Sequence, residues 1–157
     1  PLPEAQLDRF LLFIKLYYPS ETEELEVLKS TTAERKNKID SVFNALDIIA
    51  LQKLTRQVHI DDSLIVEVNN LVRNSRPQNS TSEFVKKWCE WGAGPRAGQA
   101  LILCAKARAV IKGRFSVIPE DIHTLAYPVL RHRISLNFRA EAEGISTDDV
   151  IKSLLKS

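Results

Sequence analysis

The turn at residues 92–96, Gly-Ala-Gly-Pro-Arg, constrains the fold more than any other stretch of this sequence. Two glycines and a proline end the preceding structure, and the fixed φ of Pro95 suits the first position of a helix, where its missing N–H costs nothing. The following residues, ALILCAKARAVI at 100–111, are apolar around most of the helix circumference, which is typical of a helix covered by neighbours on several sides. The sequence therefore predicts a central helix that begins at Pro95 and ends at Gly113.

The open end of this helix is the best candidate site in the chain. Free backbone N–H groups, the positive end of the helix dipole and the guanidinium of Arg96 would meet beside Gly94 and Pro95. An anion, most simply a phosphate, would be stabilised there. Gly-x-Gly-Pro is also an ordinary way to begin a helix, and a first-turn arginine is usually solvated, so the pattern alone leaves both interpretations open.

The composition favours one folded domain without a strong electrostatic field. The 157 residues are 44% apolar and 27% charged, which is a globular composition. The net charge of +2 is too small to hold a nucleic-acid backbone, and no apolar run approaches the roughly 18 residues of a membrane span. Cys89 and Cys104 are expected to be reduced thiols of a cytoplasmic protein. The histidines lack ligand partners at metal-binding spacing, so no metal is predicted.

The hydrophobic pattern predicts a mostly helical chain. The first residues suggest a short helix followed by an apolar strand at 11–18, buried on both faces, whose partner strands would lie upstream. The polar stretch 30–45 is expected to be irregular, and 84–91 is ambiguous between helix and extended chain. A small β element should pair 115–117 with 133–138. The remaining predicted helices are one capped by Ser20 and Glu23 and running to Lys29, one capped by Asp47, one ending near Arg76, one from Pro119 to about Ala126, and one capped by Ser146 with Asp149.

Three tracts of the sequence resemble the C-terminal part of MoxR-type AAA+ ATPases. They are GAGPRAGQALILCAKARAVIKGRFSVIPEDI at 92–122, VLRHRISLNFRAEAEGIS at 129–146 and, similar to the segment that carries the arginine finger, PLPEAQLDRFLLFIKLYYPS at 1–20. The resemblance covers nearly the whole chain except about 31–45. It implies a helical AAA+ lid subdomain at 19–157, preceded at 1–18 by a remnant, helix and strand, of the α/β AAA+ core. Since the chain begins at Pro1 inside the resembling segment, we expect it to be a piece of a longer protein.

The resemblance implies roles for two arginines. Arg9 matches the arginine finger, which acts in trans on the nucleotide of the neighbouring subunit, and Arg96 matches the sensor 2 arginine, which contacts the nucleotide phosphates. The family usually has Ser where this chain has Gly94, which weakens the cap but leaves the arginine in place. From the residues alone, the simpler interpretation of Arg9 is a surface side chain paired with Asp8 or Glu4.

A basic cluster, Arg131, His132 and Arg133, also matches the family. Charge clusters are most often structural or solvated, so the simplest expectation is a salt-bridged contact with Glu141 or Glu143. Near the C-terminus, Asp148 is expected to pair with Lys152 on the same helix.

The sequence contains no Gly-x-x-x-x-Gly-Lys-Ser/Thr and no apolar strand ending in an acidic pair, so this chain is not expected to hold ATP tightly or to hydrolyse it alone. The resemblance implies that the parent binds ATP and Mg²⁺, forms a homo-oligomeric, usually hexameric, ring and remodels client proteins in a chaperone-like way. Two other classes fit short helices with a basic turn: a helical DNA-binding regulator and a stand-alone helical adaptor.

Overall fold

The computed structural model of the protein describes residues 3–34 and 40–156. It confirms a mostly helical chain with a small two-stranded sheet. The helices are α1 Glu4–Leu7, α2 Glu21–Thr32, α3 Ala45–Gln57, α4 Asp62–Asn74, α5 Glu83–Trp88, α6 Pro95–Ile111, α7 Pro119–Leu130, α8 Phe138–Ala142 and α9 Thr147–Leu154, and the strands are β1 Cys89–Trp91 and β2 Ser135–Leu136.

Helix α6 lies at the centre of the chain, as the sequence predicts. It begins at Pro95 and packs against α3, α4 and α7. Its buried positions are mostly small, so the core beside α6 can be dense without large side chains on this helix. At Gly98 a Cβ would lie 3.7 Å from Val68 and 3.9 Å from Val72 of α4, which is an ordinary van der Waals distance. The buried side chains of the helix are Ala97, Ala100, Leu101, Cys104, Ala105 and Ala109.

The predicted strand pairing was wrong. Residues 135–136 do form a strand within the predicted range 133–138, but they pair antiparallel with Cys89–Trp91, which resolves the ambiguous stretch 84–91 into a helix followed by a strand. The stretch 115–117 instead flanks His59, whose N–H donates to the Phe115 carbonyl at 3.1 Å and whose carbonyl accepts from Val117 N at 3.0 Å. The carbonyl of Phe115 and the N–H of Val117 are therefore bonded to His59 and are not available to pair with residues 133–138.

A buried carboxylate holds the connection between α6 and α7. Asp121 is fully buried and accepts hydrogen bonds from Arg108, from Arg114 and from the N–H of Ile118. Burial raises its pKa, but the hydrogen bonds from these groups outweigh burial and lower the pKa to about 2. The carboxylate is therefore charged at neutral pH and fixes the start of α7.

Several element boundaries differ from the predicted ones. Helix α7 continues through Pro128 to Leu130. Pro128 removes one backbone hydrogen bond, but the burial of Val129 and Leu130 outweighs that loss. Helix α3 is capped by Asn44, whose Oδ1 accepts from Leu46 N at 2.8 Å, and Asp47 occupies the third helical position. The predicted irregular stretch 30–45 includes the end of α2, and its residues 35–39 lie outside the described part.

Helix α8 also departs from prediction, because the end of the predicted strand 133–138 becomes its first turn. Asn137 caps α8 by accepting from Ala140 N at 3.0 Å. A strand continuing past Leu136 would have lost this cap.

The predicted strand at 11–18 was wrong for the chain as it stands. Residues 12–20 have no regular secondary structure, and Leu16 is 91% exposed. A strand needs a neighbour to bond its backbone, and no strand of the described residues lies beside this segment. The segment instead follows the surface of α7 and α9: Phe13 N donates to the Pro128 carbonyl at 2.7 Å, and Lys15 Nζ lies 2.9 Å from Asp148.

Helices α2 and α3 bury none of their residues. Across the described part of the chain, no helix combines the length and apolarity that crossing a membrane requires.

Candidate functional site

The turn before α6 is held by the end of α4. Ser75 is fully buried, and its Oγ accepts from Ala93 N at 2.9 Å while donating to the Val72 carbonyl at 2.7 Å. Arg76 Nε donates to the Ala93 carbonyl at 2.9 Å. At Gly92 the backbone of the turn lies so close to the end of α4 that a Cβ would lie 2.4 Å from the Ser75 carbonyl. These contacts fix where α6 begins.

Arg96 is the second residue of α6, at the open end of the helix. Gly94 occupies the N-cap without a side-chain cap, and Pro95 follows as the first helical residue, as predicted. One expected free donor is absent, because Ala97 N donates to the Gly94 carbonyl at 3.0 Å. The Arg96 side chain is 56% exposed, and its Nη1 lies 3.3 Å from Asp8 Oδ2. An exposed pair at this distance is weak and can exchange for another anion.

Arg9 lies just after α1 and is exposed. The predicted structural alternative, pairing with Asp8, is not formed, because the Asp8 carboxylate contacts Arg133 and Arg96 instead. The Glu4 side chain, the other possible partner, lies outside the described part. Among the side chains that the structure describes, none forms an ion pair or hydrogen bond with that of Arg9.

Asp8, the sequence neighbour of Arg9, joins Arg96 to Arg133 of the basic cluster. The Asp8 carboxylate receives Arg133 Nε at 3.0 Å on one oxygen and Arg96 at 3.3 Å on the other. Asp8 and Arg96 are 88 positions apart in sequence. The sequence predicts Asp8 only as a partner of Arg9, since no local pattern indicates a contact over that separation.

The basic cluster does not make the predicted contact with Glu141 or Glu143. Arg131 donates to Asp148 through Nε at 2.6 Å and Nη2 at 3.1 Å, and this pairing lowers the pKa of Asp148. Asp148 therefore pairs with Arg131 and Lys15 rather than with Lys152. Bidentate arginine–carboxylate geometry is the stronger arrangement.

His132 contacts the N-terminal segment. Its Nε2 donates to the Phe10 carbonyl at 2.9 Å, and its ring stacks on Phe13 with 6.2 Å between centroids. Nδ1 is buried without a hydrogen-bond partner among the described residues. Burial lowers the pKa of this histidine, so the neutral ring is favoured at neutral pH.

A cleft of about 390 Å³ separates the N-terminal segment from the turn that begins α6. Its walls come from the first turn after α1, from the glycines of the turn and from the basic cluster, and its lining residues are Leu7, Asp8, Trp91, Gly92, Gly94, Arg131, His132, Arg133, Ile134 and Ser135.

No group of three or more histidine, cysteine, aspartate or glutamate side chains in the described ranges is arranged to hold a metal ion. His59 and His123 each pair with one carboxylate, Asp61 and Glu67 respectively. Arg96 carries the charge that a phosphate would need, whereas the described residues offer no cluster of side chains for Mg²⁺.

Comparison with known proteins finds similarity to a AAA lid domain and to MoxR proteins. The AAA lid domain family matches residues 83–154. The chain is 36% identical over 160 residues to "Chaperone MoxR1" of Mycobacterium tuberculosis, covering 100% of this chain and 42% of that protein. It is 35% identical to the protein YeaC of Bacillus subtilis, whose function is uncharacterised, with 100% of this chain and 47% of YeaC covered.

A solved structure gives the same result. The crystal structure of a candidate ATPase from Cytophaga hutchinsonii, at 2.00 Å resolution, superposes with a TM-score of 0.92 at 38% identity, covering 99% of this chain and 48% of that one. At this coverage the likeness includes the N-terminal segment. The chain spans less than half the length of the relatives that it matches over its full length.

Proposed function

We propose that the chain is the C-terminal, lid-carrying part of a MoxR-type AAA+ protein. In that role it is the lid of an ATP-hydrolysing, chaperone-like machine. In this proposal the chain acts within a longer cytoplasmic protein that supplies the phosphate loop and the Mg²⁺ ligands and assembles into a ring. The ring remodels client proteins. The observation that carries the proposal is Arg96, exposed at the open end of a buried central helix.

Arg96 would act as the sensor 2 residue. Among the described residues its guanidinium is held only by an exposed contact to Asp8, so an incoming phosphate can replace that carboxylate. A charge-assisted contact to phosphate is about twice as strong as a neutral hydrogen bond. Because Arg96 is fixed to the lid through α6, this contact would tie the position of the lid to the nucleotide state.

Arg9 would act as the arginine finger. It is exposed and lacks a partner among the described side chains, which leaves its charge available to a neighbouring subunit. A finger offsets negative charge that develops on the transferred phosphoryl group, and this is worth on the order of 10³ to 10⁵ in rate.

The first test is Arg96→Ala in the full-length protein. We expect weaker nucleotide-dependent lid closure and slower hydrolysis, because the variant loses a charge-assisted contact to phosphate. Steady-state ATPase kinetics and a distance probe between lid and core measure the two effects. Arg139→Ala, which removes another exposed charge of the lid, is the matched control. Unchanged kinetics in Arg96→Ala would return Arg96 to the solvated-surface interpretation.

The second test is Arg9→Ala. We expect nearly intact ATP binding and a large fall in hydrolysis, since a finger supplied in trans acts mainly on the transition state. Mixed rings test the direction of action. Arg9→Ala subunits should regain hydrolysis when their neighbours carry an intact finger and a disabled phosphate loop, and absence of rescue at every mixing ratio would contradict the assignment.

The family match and the exposed Arg96 support a lid over the two alternative classes. A DNA-binding regulator would bind DNA with an affinity that falls steeply as salt rises. A stand-alone adaptor would need an apolar groove for a partner helix. If the affinity for DNA does not change as salt is added from a low concentration, the DNA-binding regulator is excluded.

A further inference from the structure

Arg133 is the most completely bonded charged side chain that contacts the N-terminal segment. Its side chain is 3% exposed. A guanidinium has five N–H donors in a fixed plane. Here they reach Asp8 Oδ1 at 3.0 Å, the Asp8 carbonyl at 3.1 Å and, at 2.6 Å, 3.3 Å and 2.5 Å, the carbonyls of Phe10, Leu11 and Val129. A buried charge requires such partners, so this geometry is strongly specified.

The partners of Arg133 surround one residue. The carbonyls of Asp8, Phe10 and Leu11 lie on both sides of Arg9, whose own side chain stays exposed. The fourth carbonyl, of Val129, belongs to α7. Arg133 thus joins the backbone around Arg9 to the last turn of a helix in the core of the lid.

Neighbouring contacts extend the same attachment. His132 also donates to the Phe10 carbonyl, and Phe13 N donates to the Pro128 carbonyl. Through Asp8 the attachment reaches Arg96, which shares that carboxylate with Arg133. The Arg133 contact is shorter and nearly buried, whereas the Arg96 contact is exposed.

We propose that Arg133 is a positioning residue that joins the core-side segment carrying Arg9 to α7 of the lid, so that the position of the lid helps to set the position of Arg9. This inference rests on the proposed function. When Arg96 leaves Asp8 for a phosphate, Arg133 keeps Asp8 and the backbone around Arg9 attached to the lid. The nucleotide state of one subunit, sensed by Arg96, is thereby transmitted to the finger that this subunit presents to its neighbour.

The proposal is tested with Arg133→Lys in the full-length ATPase, alone and combined with Arg9→Ala. Lysine keeps the charge but lacks the planar fork that holds several carbonyls at once. We expect kcat to fall by about tenfold to 10²-fold, the size that a misplacement of about 1 Å produces. KM for ATP should stay within about threefold, because Arg133 is not proposed to contact the nucleotide.

The double variant separates positioning from general stability. If Arg133 acts through Arg9, Arg133→Lys should have no further effect on kcat once Arg9 is alanine. Arg114→Lys is the matched control, since Arg114 is a partly buried arginine that binds the Asp121 carboxylate away from residues 8–11. It should leave kcat within about twofold of the parent, at a similar shift in melting temperature.

Three outcomes decide the question. A kcat loss that disappears in the Arg9→Ala background supports the proposal. A loss that persists there, or that Arg114→Lys reproduces, overturns it and leaves Arg133 a structural residue. If Arg9→Ala itself leaves hydrolysis unchanged, the finger assignment fails and the coupling fails with it. Should Arg133→Lys not fold, Asp8→Asn weakens the same attachment while keeping the backbone contacts, and its effect on kcat must likewise disappear without Arg9.

Discussion

At the scale of single residues, the direction of Arg96 depends on residues that no ligand would touch. Ser75 bonds the N–H of Ala93 and Arg76 bonds its carbonyl, so both backbone groups of the turn are fixed by the end of α4. Gly92 permits this because its backbone lies against that of Ser75. The start of α6 is therefore determined by packing between two backbone segments, which fixes the backbone position of Arg96.

Gly92→Ala should destabilise the chain by about 1–3 kcal/mol, because a new Cβ would overlap backbone atoms that cannot move aside as a side chain can. Urea unfolding followed by circular dichroism measures the change. Gly94→Ser is the matched control, since a Cβ at Gly94 meets no atom within 4 Å and serine is a good N-cap. Equal stability of the two variants would contradict the close approach at Gly92.

At the scale of elements, the capping boxes of α9 and α2 have different surroundings. Ser146 and Asp149 cap α9, which buries Val150, Ile151 and Leu154. Ser20 and Glu23 form the same arrangement on α2, which buries none of its residues. A cap stabilises the whole fold only if its helix unfolds together with the core.

Ser146→Ala should therefore lower the global free energy of unfolding by about 1 kcal/mol, the usual contribution of an N-cap. Ser20→Ala should leave the global transition of the 157-residue chain unchanged and increase hydrogen exchange in α2 only. Chemical denaturation and amide exchange measure the two effects. A global loss in Ser20→Ala as large as that in Ser146→Ala would show that α2 is part of the cooperative core.

Elements determined by residues close in sequence were predicted, whereas elements determined by distant contacts were not. The centre of α6, the apolar face of α4 and the caps at Ser20 and Ser146 follow from neighbours within one or two turns, and all were predicted. The pairing of Cys89–Trp91 with Ser135–Leu136 was not predictable, because two very short strands far apart in sequence carry no period. The extension of α7 past Pro128 needed knowledge of which residues are buried.

The same distinction applies to the candidate site. Gly94, Pro95 and Arg96 were predicted because their arrangement is local, and the structure places them at the start of α6. The contacts of Arg133 with residues 8–11 span more than 120 positions. Charge composition limits which partners an arginine can choose but does not select among acidic residues, so Glu141 and Glu143 were predicted in place of Asp8 and Asp148.

At the scale of the whole molecule, the apolar surface is uneven. Helices α2 and α3 and the N-terminal segment expose large apolar side chains, among them Leu16, Tyr18 and Leu46, whereas α6 and α7 are well covered. Exposed apolar side chains concentrated in a few segments are typical of an interaction site. We expect these segments to pack against a part of the longer protein proposed above, since the relatives that match the chain are about twice as long.

The 157-residue chain alone should bind ATP with Mg²⁺ more weakly than about 1 mM and should not hydrolyse it. One charge-assisted hydrogen bond from Arg96 contributes about 1.5–3 kcal/mol, less than the roughly 4 kcal/mol that a Kd of 1 mM requires. Isothermal titration calorimetry measures the affinity, with the Arg96→Ala chain as control. A micromolar Kd would mean that the chain holds the purine and the metal at a site other than the one proposed.

The two buried cysteines make movement of this region measurable by chemical labelling. Only a thiolate reacts rapidly with thiol reagents, and burial raises the pKa of Cys89 to about 11 and also raises that of Cys104. Modification must therefore wait for an opening that exposes the sulfur. A chain that keeps Cys89 alone would report separation of β1 from β2, beside the turn that precedes Arg96, and one that keeps Cys104 alone would report exposure of α6 itself. Faster modification at Cys89 would place the least stable contact of the lid at the turn rather than in the central helix.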